Sequence, residues 1–508
     1  MKFLISCKGN NRYANMKLES QADMLGQFSR MRQWRDVNRD EVIIFIALNI
    51  SMGLVQKPDL SDYWSCHDVL TTPFFSRCMT RNRFEIINSN LHFNDNNNYH
   101  RRGHPLFDSL FKIRPVYDII TRRFREVYVP EQHLSLDEGM VPWKGPLSFR
   151  MYIPSKPDRF GLKAFSLNEA KSGYTIGYDV YTGSTFVPDP TADEYELMQN
   201  QTYQTVMGML KRCNILEKGY RLYMDSYYIS PTLVDDLASL DTVTVGTVRC
   251  NRKEMPKALK RKLKTGKVIG RRRGDVLALK WQDKRDVTIL SSAHTAEWGV
   301  SSTHDRDGNP VIKPTCVIDY NQHMGGTDLA DQLVRYYPTY RRKNKWYIKF
   351  FFSLVGMAVT NAYILWKKYA PADQQMSHSR FRLSVVEEMV QSASDAPVPL
   401  VNTKARRSAG FSLRRMVERH FPAKVKAKSG AKKQNPSREC VVCKERMKKD
   451  DQHVLVYLQT HRNSKRVRYP ETRIECTKCD VGLCVTPCFE IYHTVKNFAD
   501  VDPDTWSQ

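Results

Sequence analysis

At 508 residues, with 41% hydrophobic and 11% aromatic side chains, the chain holds enough apolar material for three or four folded domains, which excludes a largely disordered protein. Its formal net charge of +25 points to a polyanionic partner, nucleic acid first, because a positive potential draws in phosphate backbones and releases their counterions. The start, Met1 to Lys8, begins like a signal peptide, but its apolar run stops short of an h-region, so an intracellular protein is expected.

From about Glu41 to Val127 the pattern is mostly helical, with broad apolar faces in Val42 to Leu48 and Phe84 to Ile87. From about Gln132 to Arg249 the texture changes to β-branched and aromatic runs broken by turns: His133 to Leu136, Phe149 to Ile153, Tyr174 to Tyr178, Tyr220 to Met224 and Thr242 to Gly246. A mixed sheet is predicted there. Residues 250 to 314 carry the basic runs Lys260 to Lys264 and Arg271 to Arg273, with a hairpin predicted around Val276 to Leu290. Phe350 to Trp366 is uncharged and approaches the ~18 residues of a membrane span. It carries Ser353, Thr360 and Asn361 and has no second apolar span beside it, so it reads as a buried helix of a soluble domain, with no membrane partner. Residues near 390 to 438, with Lys424, Lys426, Lys428, Lys432 and Lys433, read as a flexible basic linker that doubles as a candidate nuclear localisation signal.

Three acidic segments stand where a carboxylate can be held rigidly. Asp137 and Asp225 end the apolar stretches at Leu136 and Met224, and Asp328 with Asp331 opens a helical pattern after Gly325-Gly326. Asp137, Asp225 and Asp328 could converge on Mg²⁺, a hard cation that prefers carboxylate oxygen, and a pair of such ions serves phosphodiester chemistry. Asp328 and Asp331 lie one turn apart on one helix face, although acids in a first turn also favour a helix N-terminus, and Asp137 and Asp225 would serve equally as turn residues.

Six of the twelve cysteines crowd the last seventy residues. Cys440, Cys443, Cys476, Cys479, Cys484, Cys488 and His493 have the spacing and chemistry of structural Zn²⁺ ligands. One ion needs four ligands, so these seven imply two ions and one missing ligand, which His453 or His461 would supply, or one ion with spare thiols. The linker together with Arg462, Lys465, Arg466 and Arg468 makes a phosphate-contacting surface, and Tyr336, Tyr337 and Tyr340 beside Arg341-Arg342 are either core or DNA-stacking.

The wording of four segments is more specific than any of these features alone. His133 to Gly145 (HLSLDEGMVPWKG), Phe149 to Lys156 (FRMYIPSK), Gly246 to Arg249 (GTVR) and Asp319 to Gln332 (DYNQHMGGTDLADQ) together resemble the piggyBac transposases and piggyBac transposable element-derived proteins, from about Asn11 to Asn497. The resemblance implies a multi-domain α/β plus α protein with an RNase H-like catalytic core, an insertion domain, a helical dimerisation and DNA-binding domain and a C-terminal cysteine-rich zinc domain. On this sequence the helical domain falls at 1–131 and 338–389, the core at 132–251 and 316–337, the insertion at 252–315, the basic linker at 390–437 and the zinc domain at 438–497. It also implies a catalytic, Mg²⁺-holding triad of Asp137, Asp225 and Asp328 with Asp331 as neighbouring acid, Arg249 and Arg252 near target DNA, and end-DNA recognition by the zinc domain. The expected activity is a nuclear, dimeric transposase that cleaves element terminal repeats and joins them to TTAA target DNA; the alternative is a domesticated, non-catalytic DNA-binding protein. Two departures are visible: Ser226 stands where the family commonly has Asn, and the long acidic leader of many relatives is missing.

Overall fold

A computed structural model gives the fold and describes residues 4–21, 24–26, 29–154, 156–339, 341, 343–394, 420–425, 436–449, 469–495, 498 and 501. The chain divides into two compact units, Met1–Val401 and Asn402–Gln508.

In the first unit five helices precede the sheet: α1 (Leu4–Gln21), α2 (Arg39–Leu54), α3 (Pro73–Cys78), α4 (Arg81–Asn90) and α5 (Arg114–Glu126). The last four fall in the stretch read as mostly helical, α2 and α4 on its two apolar faces. The first does not, since the residues that begin like a signal peptide open a helix from Leu4 on. α2 starts where the Asn38 side chain accepts from the Glu41 amide, and every residue from Val42 to Gly53 is buried, which is why it is apolar on all sides. Against it packs α12 (His378–Ser394), brought back from far along the chain.

The long apolar segment forms α11 (Trp346–Tyr369), with 72% of its most apolar window buried inside the protein. Its polar residues have partners, as burial requires. Asn361 accepts from the Thr175 amide (3.0 Å) and donates to the Thr175 carbonyl (2.9 Å), clasping a strand edge as another strand would, and Thr360 accepts from Arg382 (3.2 Å).

The sheet contains β1 (His133–Pro142), β2 (Met151–Tyr152), β3 (Phe160–Glu169), β4 (Thr175–Val180), β5 (Arg221–Met224), β6 (Val243–Thr247), β7 (Val268–Arg273), β8 (Val276–Gln282) and β9 (Asp286–Ser291). Their order is β2-β3-β1-β5-β6-β9-β8-β7, with β4 also on β3. β1 runs antiparallel to β3 and parallel to β5, and β5 runs parallel to β6, the RNase H-like arrangement. Parallel neighbours need crossovers, supplied by α6 (Glu194–Met198) and α7 (Gln201–Arg212) before β5 and by α8 (Pro231–Ser239) after it. β3 is absent from the predicted strands because nine of its ten residues are buried, so it lacks the alternation that marks a half-exposed strand. Phe149 to Ile153 shrinks to the two-residue β2.

The segment 252–315, expected as an inserted domain, is largely an extension of the same sheet. β9 pairs with β6 from Val245↔Ser291 to Thr247↔Ile289, and β8 and β7 follow; only β10 (Trp298–His304) and β11 (Pro310–Pro314) form a hairpin apart from it. α9 (Thr315–His323) and α10 (Gly326–Tyr336) then return to β1.

The second unit has short elements: β12 (Pro422–Lys424), β13 (Arg438–Glu439), α13 (Val441–Lys449), β14 (Glu471–Thr472), β15 (Ile474–Cys476), β16 (Val481–Gly482) and α14 (Cys488–Thr494). Its core joins Cys440, Cys476 and Cys488 to Val442, Leu483, Ile491 and Phe498. Of the basic residues singled out in the linker and tail, Lys424 is described; Lys426, Lys428, Lys432, Lys433, Arg462, Lys465, Arg466 and Arg468 lie outside the described residues, as do Tyr340 and Arg342.

Candidate functional site

Strand register assembles the acidic site. β1 and β5 are parallel with Leu136 opposite Met224, so the next residues, Asp137 and Asp225, emerge side by side where β5 ends. Glu138 joins them: one carboxylate oxygen from each of Asp137, Glu138 and Asp225 lies within 4.8 Å of the others. Local hydrogen bonds aim the groups. Asp137 Oδ1 accepts from the Glu138 amide (2.8 Å) and Asp225 Oδ1 from the Tyr227 amide (2.9 Å). Lys163 on β3 donates to Glu138 Oε1 (2.8 Å), and Lys156 donates to the Glu138 carbonyl (2.9 Å).

Crowded carboxylates in a half-buried site resist ionising together. Burial, then the neighbouring Glu138, pushes Asp137 up to about 8, and burial raises Asp225. Glu138 is held below its ordinary value: burial opposes this, but hydrogen bonds from the Asp137 carboxyl and the Lys163 ammonium outweigh it. The Tyr228 hydroxyl is buried with no hydrogen-bond partner, and the charges of Glu138, Asp137 and Asp225 bear on it. An oxygen-only donor set short of positive charge, beside an unpaired buried hydroxyl, fits a hard divalent cation.

The third acid of the expected triad is placed differently. Asp328 is exposed and lies outside the cluster, whereas Asp331 is half-buried and its Oδ1 is 4.0 Å from where a Cβ on Gly139 of β1 would sit. Burial pushes Asp331 up to about 6, against the charges of Lys156 and Arg335. The cause is the face on which α10 is seated. A Cβ on Gly326 would meet Ser135 Oγ at 2.4 Å and the Glu169 carbonyl at 3.0 Å, and Thr327 donates to Asn168 on β3 (3.0 Å), so Gly326, Thr327 and Ala330 face the sheet. Three residues on a helix differ by about 60° around its axis, enough to keep Asp331 at the rim of that face and put Asp328 in solvent. The Gly-Gly pair thus serves close approach; neither glycine has a positive φ.

Arg252 donates to the carbonyls of Ser226 (2.6 Å) and Tyr227 (3.0 Å), fixing the turn that carries Asp225, while Arg249 is exposed. Glu138 and Lys156 are site residues that the sequence reading quoted within motifs without assigning them a role, and Lys163 stood in none of those motifs. Only the register of β1 with β3 brings Lys163 to Glu138, and β3 was not foreseen.

In the second unit eight ligands form two sets of four. Cys440, Cys443, Cys484 and Cys488 make one; His420, Cys476, Cys479 and His493 make the other. The sets interleave along the chain, as two ions with one missing ligand require. Among the described residues the eighth ligand is His420; His453 and His461 lie outside the described residues. His420 was overlooked because it precedes the first C-x-x-C, inside what reads as linker. None of the six cysteines forms a disulfide. Cys443 and Cys488 Sγ are 3.6 Å apart, the Cys484 amide donates to Cys440 Sγ (3.4 Å), and His420 Nδ1 is 3.3 Å from both Cys476 and Cys479 Sγ. Hydrogen bonds from Cys443 and Cys488 hold Cys440 far below the usual thiol range. His493 Nδ1 donates to the Phe489 carbonyl (2.6 Å), leaving Nε2, 3.6 Å from Cys479 Sγ, to ligate. Both sets fit tetrahedral Zn²⁺.

The family model described as Transposase IS4 matches residues 8–363. The chain belongs to this family, in its piggyBac type. Human PiggyBac transposable element-derived protein 3 is 27% identical over 463 residues, which cover 89% of this chain and 69% of that protein. Human PiggyBac transposable element-derived protein 2 is 25% identical over 367 residues, covering 70% and 60%. A piggyBac transposase in a synaptic complex with hairpin DNA shares the fold, with a TM-score of 0.67, 20% identity and coverage of 95% of this chain and 93% of that one. Transposases cut DNA and transfer its strands with divalent metal, and among the described residues of this chain the group Asp137, Glu138 and Asp225 could hold such an ion.

Proposed function

We propose that this chain is a Mg²⁺-dependent transposase that nicks the ends of its element, resolves a DNA hairpin and joins the freed 3′ hydroxyls to a TTAA target. The observation that carries this reading is the parallel register that sets Asp137 and Asp225 side by side with Glu138. Asp137 and Asp225 hold Mg²⁺, because all their donors are oxygen and the charge of Glu138 is already shared with Lys163. When bound, a pair of such ions neutralises charge on the attacking and leaving oxygens of the phosphodiester. Asp331 supports the cluster from its rim on α10. Arg252 keeps Asp225 in place through the Ser226 and Tyr227 carbonyls, and exposed Arg249 is free to meet the DNA backbone.

In this reading the second unit takes two structural Zn²⁺ and binds the element's terminal repeats, the transposase works as a homodimer, and it acts in the nucleus, where its DNA lies. The net charge of +25 supports contacts dominated by phosphate, hence steeply weakened by salt. A second reading, a domesticated DNA-binding protein without catalysis, is favoured by the names of the human relatives, which describe them as derived from transposable elements. Incubating purified protein with Mg²⁺ and duplexes bearing the inverted repeats that flank its coding region separates the two. Nicked and hairpin products support the transposase; tight end binding with no product supports the binder.

A further inference from the structure

A third group of ligand-type side chains lies on the first unit outside the mechanism above. His133 begins β1, Asp319 and His323 stand one turn apart on α9, and one ligand atom of each lies within 4.8 Å of the other two. The His133 and His323 rings are stacked, with centroids 4.0 Å apart and planes at 11°. Two imidazolium rings would repel strongly at that distance, so the pair persists with at least one ring neutral, the form that ligates metal. His294, from the turn after β9, brings a third ring nitrogen, Nε2, to 3.4 Å from Asp319 Oδ2.

Protons join these groups in the metal-free protein. The Tyr223 hydroxyl donates to Asp319 Oδ2 (2.9 Å) and lies 2.8 Å from His133 Nδ1, from which it therefore accepts. His323 Nδ1 lies 2.9 Å from Asp319 Oδ1 and 3.0 Å from the Asp319 carbonyl, so it too carries its hydrogen. A cation can take the place of these shared hydrogens if each imidazole moves its proton to the other ring nitrogen, a tautomer change that leaves the charge of the rings unaltered. The Tyr223 hydroxyl then remains as a donor to the ligating carboxylate, the outer-shell partner such sites use.

We propose that His133, Asp319 and His323, with His294 beside them, form a site for a borderline transition-metal cation of the Zn²⁺ class. The nitrogen-rich donor set separates it from the all-oxygen cluster around Asp137, and the absence of thiols separates it from the sets in the second unit. Its place in the fold gives it a structural role. It ties the last turn of α9 to the first residue of β1, and α9 leads through Met324 and Gly325 directly into α10, the helix that carries Asp331.

Equilibrium dialysis of the full-length protein against micromolar Zn²⁺, followed by metal analysis, tests the site. The His133→Asn/His323→Gln double variant is expected to hold about one zinc per chain less than the parent. Co²⁺ loading identifies which site is lost: the thiolate-to-cobalt charge-transfer bands of the second unit stay, while visible d–d absorption drops. Asp319→Asn, which keeps the size and most of the hydrogen bonding, is the second variant and should show the same loss if the double variant does not fold. Equal metal content and equal Co²⁺ spectra in parent and variants would overturn the proposal.

Discussion

The acidic cluster of the first unit and the thiol clusters of the second differ in whether fold or ligand comes first. Asp137 and Asp225 extend from strands whose preceding residues, Leu134, Leu136, Leu222 and Met224, are fully buried, in a sheet packed by helices on long apolar cores. That scaffold is expected to stand without a cation, with its crowded carboxylates costing stability that a cation would return. The second unit has strands of two or three residues, and its small core is built partly from the ligand cysteines themselves. There, losing an ion is expected to remove the structure.

Chelation should therefore break the two regions unequally, and this is the largest expected effect. Structural zinc contributes ~10–16 kcal/mol to small domains of this kind, so a strong chelator should unfold the second unit and leave the first folded. Limited proteolysis and metal analysis check this, with close to two Zn²⁺ per chain expected from the two sets of four ligands. Survival of the second unit without metal would erase the contrast. The same comparison sharpens at single residues: His420→Ala should release about one zinc per chain, and His453→Ala or His461→Ala none.

Within the first unit, α10 offers a finer break. Asp331→Asn is expected to lower cleavage about 10²-fold, and Asp328→Asn less than tenfold, because of the two only Asp331 is half-buried and lies against β1 at Gly139. The reverse order, read from cleavage rates on matched ends, would mean that α10 turns to bring Asp328 inward once DNA and metal are bound.

The smallest effect is on stability and has an unusual sign. In the metal-free protein burial pushes Asp137 up to about 8, above the ~4 of an unfolded chain, so between these values the native state holds a proton that the unfolded state has released. Stability is then full at low pH and falls as pH rises through about 8. Asp137→Asn removes this penalty and should stabilise the metal-free protein at pH 8, seen in urea melts, with little gain at pH 4. Destabilisation at pH 8 would show that the carboxyl group is not strained there.

These regions were also unequally legible in the sequence. Cysteine pairs at C-x-x-C spacing announce themselves locally, and only His420, lacking a spaced partner, escaped. Asp137 and Asp225 were both read as strand-end acids, which holds for Asp225 while β1 runs on past Asp137 to Pro142, and their meeting depends on a parallel register across more than eighty residues, which the resemblance supplied and periodicity did not. Lys163 and the role of Glu138 were hidden because β3 is buried on both faces and shows no alternation. Where Asp328 and Asp331 stand depends on which side of α10 meets the sheet, set by Gly326 against Ser135, a contact with no sequence signature. The segment 252–315 misled for a related reason: its basic runs look foreign to a core, yet β8 buries six of its seven residues in the common sheet.

The central claim is that the charge of Asp137 holds a catalytic cation. Cleavage of matched element ends in Mg²⁺ by parent and Asp137→Asn protein, with zinc content and end binding measured on the same samples, tests it most directly. The expected result is a loss of cleavage of at least ~10³-fold with zinc content and end binding unchanged, since the substitution keeps the size of the side chain and removes its charge. Normal cleavage by Asp137→Asn would contradict it.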